Sequence, residues 1–346
     1  MMQFDLIKEY YGKVLETKTD LKTTACCTDD AIPSHIKPIL AKVPDEVKAK
    51  FYGCGVPIPD CLEGATVLDL GSGTGRDCFV LSSLVGEEGR VIGIDMTDEQ
   101  LSVARKYQDQ HRLALGYAKS NIDFRKGYIE NLGAADIADN SVDLVVSNCV
   151  INLSPDKEKV FSEIFRVLKP GGELYFSDVY CDRRLPKAFQ QDSVLLGECL
   201  GGALYFEDFR RILAKQNCLD FRVISRSSIG IGNEDIAQKV GDARFASITV
   251  RAFKLPLEDK CEDYGQVLRY KGTIKNHPNG FTLDDHHYFP TQKLLPVCAN
   301  TAQMVSDTRY SKHFEVIGNA EKHFGLFDCG PDAAPTSGSG TAGACC

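Results

Sequence analysis

Val67-Leu68-Asp69-Leu70-Gly71-Ser72-Gly73-Thr74-Gly75 reads as an apolar strand running into a glycine-rich turn at the start of a helix. Glycine adopts positive φ without penalty and lets the backbone come close to a ligand, and a helix N-terminus offers unpaired N–H groups. Outward from this turn, strands are expected at residues 66–70, 91–95, 121–124 and 142–147, and at 173–177 after the turn Pro170-Gly171-Gly172. Helical patterns lie between them. In residues 156–168, Val160, Ile164, Val167 and Leu168 share one face, with Ser154-Pro155 as the expected cap and first-turn pair. Alternating strand and helix predicts an α/β fold, a Rossmann-like, doubly wound and mostly parallel sheet. Its chemistry belongs on the loops at the carboxyl ends of the strands.

The flanks are less regular. Ile7, Tyr10, Tyr11, Val14 and Leu15 form the stripe of an amphipathic helix, expected to pack on the domain. Residues 17–33 are polar, contain the vicinal pair Cys26 and Cys27, and read as a loop. After Tyr180 a helix over 206–216 and strands over 221–227 and 247–253 predict a small cap domain. Little periodicity is left beyond Leu257, and the Gly, Ala, Ser and Thr of residues 330–346 predict a disordered tail.

At 346 residues the chain is long for one hydrophobic core. Forty Lys and Arg against 48 Asp and Glu give a net charge of −8, which argues against a nucleic-acid partner. The composition is otherwise ordinary except for 14 cysteines and no tryptophan. Residues 1–20 are charged throughout, unlike a signal peptide, and no run approaches a membrane span, so a cytoplasmic, reducing location and no membrane partner are expected. No Cys-x2-Cys or His-x3-His pair suggests zinc, although His286 and His287 are adjacent.

The glycine turn departs from the dinucleotide pattern, because its third glycine arrives one residue early and an acid, Asp69, stands two residues before the first. That form is characteristic of class I S-adenosylmethionine-dependent methyltransferases. Its context sharpens the reading. Asp95 ends the next strand and can accept both ribose hydroxyls, its bland alternative being a helix cap, and Met96 can cover the adenine. Asn131 and Leu132 follow Gly127-Tyr128-Ile129-Glu130, where adenine edges are expected to be read. The expected S-adenosyl-L-methionine site comprises Asp69, Gly71, Ser72, Gly73, Thr74, Gly75, Arg76, Asp95, Met96, Ile129, Glu130 and Asn148.

Four segments carry a closer resemblance: Tyr52-Gly53-Cys54-Gly55, Gly71-Ser72-Gly73-Thr74-Gly75-Arg76-Asp77-Cys78, Ser147-Asn148-Cys149-Val150-Ile151-Asn152-Leu153 and Gly197-Glu198-Cys199-Leu200-Gly201-Gly202. Over roughly residues 20–254 the chain resembles the arsenite methyltransferase family. The resemblance implies Cys149 and Cys199 as arsenic(III) ligands, Cys54 as a third thiol and Cys26 as the redox partner of Cys54. It implies arsenite and methylated arsenicals as substrates, thioredoxin or glutathione as reductant, and a monomer. The expected organisation is 1–34, an N-terminal helix and redox loop; 35–205, the cofactor domain; 206–257, an arsenic-binding cap; 258–329, a small C-terminal domain; and 330–346, a tail.

The residues support this chemistry without the name. Cys149 follows the fourth strand at its carboxyl end, near a donor in the glycine turn. Trivalent arsenic is soft, exchanges hydroxyls for sulfur, and keeps a lone pair on the open side of a trithiolate site. It has no proton to lose, so no positioned base is required, and proximity carries the catalysis. The transfer formally oxidises arsenic, and a thiol pair can return two electrons as a disulfide. Two alternatives share some of these features. A methyltransferase for a small organic acceptor leaves Cys149 and Cys199 unexplained, and a protein that only sequesters soft ions leaves the donor turn unexplained.

A free cysteine is often only a small buried hydrophobe. Cys78, on one face with Leu81 and Val85, reads as core, and Cys181 and Cys218 as structural. Cys27 competes with its neighbour Cys26 for the redox role. Cys261, Cys298, Cys329, Cys345 and Cys346 have no motif. His277, His286 and His287 read as surface or capping groups rather than metal ligands.

Overall fold

The computed structural model describes Phe4, Ile7, Lys8, Tyr10, Tyr11 and residues 32–328. The expected tail and the vicinal cysteines Cys26 and Cys27 lie outside the described residues. Alternation gives β1 (Thr66–Leu70), α1 (Arg76–Val85), β2 (Arg90–Asp95), α2 (Asp98–Leu115), β3 (Ile122–Lys126), β4 (Val142–Asn148), α3 (Lys157–Val167) and β5 (Leu168–Cys181). The expected cap of α3 moves by two residues. Asp156 accepts from Lys159 N at 3.0 Å, while Ser154 donates to Glu130. The Pro170-Gly171-Gly172 turn sits inside β5, opposite the irregular register at Val142 and Leu144, with Gly171 at φ 74°.

The chain continues through α4 (Ser193–Gly197), β6 (Leu204–Tyr205), α5 (Phe206–Lys215), β7 (Phe221–Ile229), α6 (Glu234–Val240) and β8 (Phe245–Phe253). The main sheet has the order β3-β2-β1-β4-β5-β8-β7, with β6 also beside β5. β1 to β5 are parallel, and β8 runs antiparallel between β5 and β7. This corrects the expected cap domain over 206–257. β7 and β8 are long and hydrogen-bond to each other, β8 also pairs with β5, and the two complete the sheet rather than standing apart from it.

Apolar residues bury both faces of the sheet. Phe79, Leu81, Leu101 and Ala104 lie on the α1 and α2 side, and Val160, Phe161, Ile164 and Phe209 on the other. Beyond Leu257, among the described residues, seven strands of two to four residues and α7 (Ala299–Ser306) enclose a core of Tyr270, Phe281, Phe289, Tyr310 and Phe314. Strands this short leave no periodicity to read. A buried carboxylate ties this module to the sheet: Glu173 on β5 accepts from Arg251 Nε at 2.7 Å and pairs with Arg309, while Arg251 Nη2 reaches Tyr310 Oη at 2.6 Å. Among the described residues no helix is long and apolar enough to cross a membrane.

Candidate active site

Strand order reverses between β1 and β4, where a doubly wound sheet opens a crevice at its carboxyl end. Gly71, Gly73 and Gly75 take φ of 66°, 52° and 86° there. A Cβ on Gly71 would sit 2.3 Å from Val150 Cγ2, and one on Gly75 2.6 Å from Phe124 Cζ. Asp95, at the end of β2, accepts from Gly73 N at 2.9 Å and Thr97 N at 2.8 Å. Burial raises its pKa. Beneath the turn, Asp69 accepts from Cys78 Sγ at 3.2 Å, and burial with the neighbouring Asp77 carboxylate pushes it well above the usual carboxylate range.

The crevice is concave and opens to solvent, as small-molecule sites do. Asp69, Gly71, Ser72, Gly73, Thr74, Asp95, Met96, Ile129, Glu130 and Asn148 all line it, as does Cys149. Gly75 and Arg76 do not. Arg76 lies over the Phe51 ring, 3.1 Å from its centre, and its Nε donates to Asp77 at 2.8 Å. It therefore steadies two lining residues. Asn131 turns away to cap a short 3₁₀ turn, accepting from Ala134 N at 3.2 Å, and Leu132 is core. Sequence reasoning missed Phe51, Asp77, Gln100 and Tyr128, and read Ile7 and Tyr11 only as packing, yet all of these line the crevice. Tyr52 also lines it and lay inside a quoted motif without being assigned a role.

Of the four carboxyls on these walls, Asp77 is paired with Arg76 and Asp69 is pushed toward its neutral form, which leaves Asp95 and Glu130 against one lysine, Lys50. That surplus of acid suits a cation such as a sulfonium bearing an amine. The close-approach glycines, the Asp95 carboxylate and the acid surplus all fit S-adenosylmethionine.

Cys149 follows β4 directly, at φ 58°, with its N–H donated to Ser177 O at 2.9 Å. Cys199 follows α4 at φ 60°, and its Sγ donates to Cys149 O at 3.4 Å. Non-glycine residues in left-handed backbone cost about 1–2 kcal/mol each and gather at functional sites. Cys54 reaches them from the segment before β1. Its N–H is accepted by Asn148 Oδ1 at 2.9 Å, and its carbonyl accepts from Ser247 Oγ at 2.8 Å. The three thiol positions are 0–2% exposed, within one apolar cluster that includes Ile7, Leu153, Val179 and Leu195.

The structure thus brings together Cys54, Cys149 and Cys199. Cys54 and Cys149 form a disulfide with Cα atoms 5.8 Å apart, and Cys26, the partner that the resemblance implies for Cys54, lies outside the described residues. Asn148 and Ser247 hold the Cys54 backbone over the end of β4, and that clamp brings the two sulfurs within bonding distance. Cys78, Cys181 and Cys218 are buried, and burial pushes the Cys218 thiol up to about 12. The three histidines each meet a carboxylate: His277 meets Asp60 at 3.0 Å, His287 meets Asp284 at 2.8 Å, and His286 meets Asp285. Cys298 instead lies 3.2 Å from Thr301 Oγ1.

Residues 62–217 match the family described as a methyltransferase domain, and residues 263–334 the arsenite methyltransferase C-terminal domain. An arsenite methyltransferase of Aquipseudomonas alcaligenes is 53% identical over 326 residues, covering 94% of each chain. The chain belongs to the arsenite methyltransferase family. The Homo sapiens arsenite methyltransferase is 44% identical over 317 residues, 91% of this chain and 84% of its own. The crystal structure of an arsenic(III) S-adenosylmethionine methyltransferase from Chlamydomonas reinhardtii superposes with a TM-score of 0.83 at 53% identity, covering 86% of this chain and all of that one. Membership makes the protein an S-adenosylmethionine-dependent methyltransferase, and it sets aside both the small organic acceptor and the sequestering protein.

Proposed function

We propose that this family member methylates trivalent arsenic held by Cys54, Cys149 and Cys199. The observation that carries the ligand set is the meeting of these three residues where Cys149 also lines the donor crevice. With the disulfide opened, three thiols exchange with the hydroxyls of arsenite and release three waters. S-adenosylmethionine supplies an electrophilic methyl on a sulfonium sulfur. The arsenic lone pair forms the new As–C bond as the C–S bond breaks, and no base is needed. Within the crevice, Asp95 and Glu130 offset the donor's positive charge, and the apolar cluster around the thiols excludes water.

Arsenic leaves this step two electrons poorer. Coupling of the Cys54 and Cys149 sulfurs breaks two As–S bonds, forms one S–S bond and returns both electrons. Water takes the vacated position and loses a proton, which carries off the charge brought by the methyl and leaves methylated trivalent arsenic on Cys199 with one hydroxyl. A Cys26 thiolate then attacks at Cys54 and frees Cys149, and thioredoxin or glutathione reduces the resulting Cys26–Cys54 disulfide. The Cys54–Cys149 disulfide supports the first half of this relay. Purified protein given arsenite, S-adenosylmethionine and thioredoxin should release methylated arsenicals over many turnovers. Cys26→Ser should keep the first turnover and lose the later ones. Full multiple turnover in Cys26→Ser would remove Cys26 from the relay.

A further inference from the structure

Glu198, one residue before Cys199, is 0% exposed, and burying a carboxylate is costly unless a partner holds it. Its Oε1 accepts from Tyr10 Oη at 2.9 Å. Gly197 lies so close to the Tyr10 ring that a Cβ there would sit 2.4 Å from Cε1, and its carbonyl accepts from Tyr11 Oη at 2.7 Å. The Tyr11 hydroxyl also lies 3.8 Å from Cys199 Sγ. Two consecutive tyrosines therefore grip three consecutive residues that end in a left-handed cysteine.

The same N-terminal segment also faces the cofactor crevice. Ile7 and Tyr11 line it. Lys8 Nζ donates to Tyr128 Oη at 2.8 Å, Phe4 meets the Tyr128 ring edge-on at 5.2 Å, and Gln100 Nε2 donates to Tyr11 O at 3.0 Å. Tyr128 and Gln100 are themselves walls of the crevice. One short segment thus touches the donor site with one side and the thiol loop with the other.

We propose that Glu198, held by Tyr10, is a positioning residue for Cys199, and that the Tyr10-Tyr11 segment couples occupancy of the crevice to arsenic capture. The inference rests on Cys199 being an arsenic ligand. A molecule filling the crevice packs against Ile7 and Tyr11 and favours the arrangement in which Tyr10 grips Glu198. That grip sets Cys199 beside Cys149. Linkage makes the effect reciprocal, since arsenic on the thiols tightens the crevice ligand by the same factor. One hydrogen bond to a buried carboxylate corresponds to roughly a ten-fold effect.

The test is equilibrium dialysis of arsenite against the full chain, reduced by a phosphine that carries no thiol, with and without saturating S-adenosylhomocysteine. The wild type should bind arsenite about ten-fold more tightly when the crevice is filled. Tyr10→Phe, which removes one oxygen and keeps the ring, should lose most of that gain and weaken binding of S-adenosylhomocysteine alone by no more than the same factor. Glu198→Gln, which keeps an acceptor, should retain part of the gain, and Glu198→Ala none; a merely structural role would lower stability and leave the coupling intact. Equal coupling in Tyr10→Phe and wild type, or no effect of S-adenosylhomocysteine on the wild type, would overturn the inference. Undiminished arsenite binding by Cys199→Ser would instead remove the ligand assignment beneath it.

Discussion

Asn148 accepts the Cys54 N–H through Oδ1 at 2.9 Å, and its Nδ2 donates to Gly55 O at 2.9 Å and to Asp77 Oδ2 at 3.0 Å. One side chain therefore fixes the arriving thiol segment and a carboxylate of the donor crevice together. A carboxamide accepts through its oxygen and donates through its nitrogen at once. A Cβ on Gly53 would fall 2.7 Å from Asn148 Cγ, so the segment rests directly on this amide. Asn148→Asp replaces the donor with a charge facing Asp77 and should lower kcat/KM for arsenite by about 100-fold, as misplacement of a reacting group by about 1 Å does. Steady-state rates with product counted by mass spectrometry read this directly. Activity within two-fold of wild type would mean that the clamp does not position Cys54.

Gly71 combines a φ of 66° with a Cβ position 2.3 Å from Val150 Cγ2. Gly71→Ala should weaken S-adenosylmethionine binding at least ten-fold and destabilise the fold by about 1–3 kcal/mol. Adding Val150→Ala relieves the contact but not the backbone strain, so calorimetric titration should find a partial recovery of affinity. Complete recovery would assign the whole defect to Val150.

His111 on α2 packs against Phe79 with ring centres 4.8 Å apart, and burial lowers its pKa from 6.5 to about 4. Between those values the unfolded chain binds a proton that the folded chain refuses. Stability should therefore fall as pH drops from about 6.5 toward 4, by about 2 kcal/mol, and level off below that for this group. His111→Leu should flatten this part of the curve in urea denaturation. An unchanged slope would mean that His111 titrates normally in the folded protein.

The glycine turn, the first five strands and the fold class were legible because apolar runs alternate with helical stripes from Thr66 onward. Ten of the 12 expected cofactor residues line the crevice for the same reason. Arg76 stands off the crevice lining, because its neighbour Asp77 and the Phe51 ring, distant in sequence, compete for its guanidinium. The antiparallel β7 and β8 looked like a separate cap because nothing in a strand's own residues states its partner. Ile7 and Tyr11 were read as packing because a stripe at helical spacing is the same whether it covers a core or a ligand crevice. The Cys54–Cys149 disulfide was out of reach for a related reason, since the place of Cys54 depends on the Asn148 and Ser247 contacts rather than on any spacing between cysteines.

The central claim is that Cys149 and Cys199 hold arsenic for methyl transfer. Single-turnover transfer from labelled S-adenosylmethionine to arsenite, in phosphine-reduced Cys149→Ser and Cys199→Ser, tests it most directly. The ligand assignment predicts loss of at least 100-fold in rate for each variant, with cofactor affinity unchanged. Transfer at the wild-type rate by either variant would contradict it.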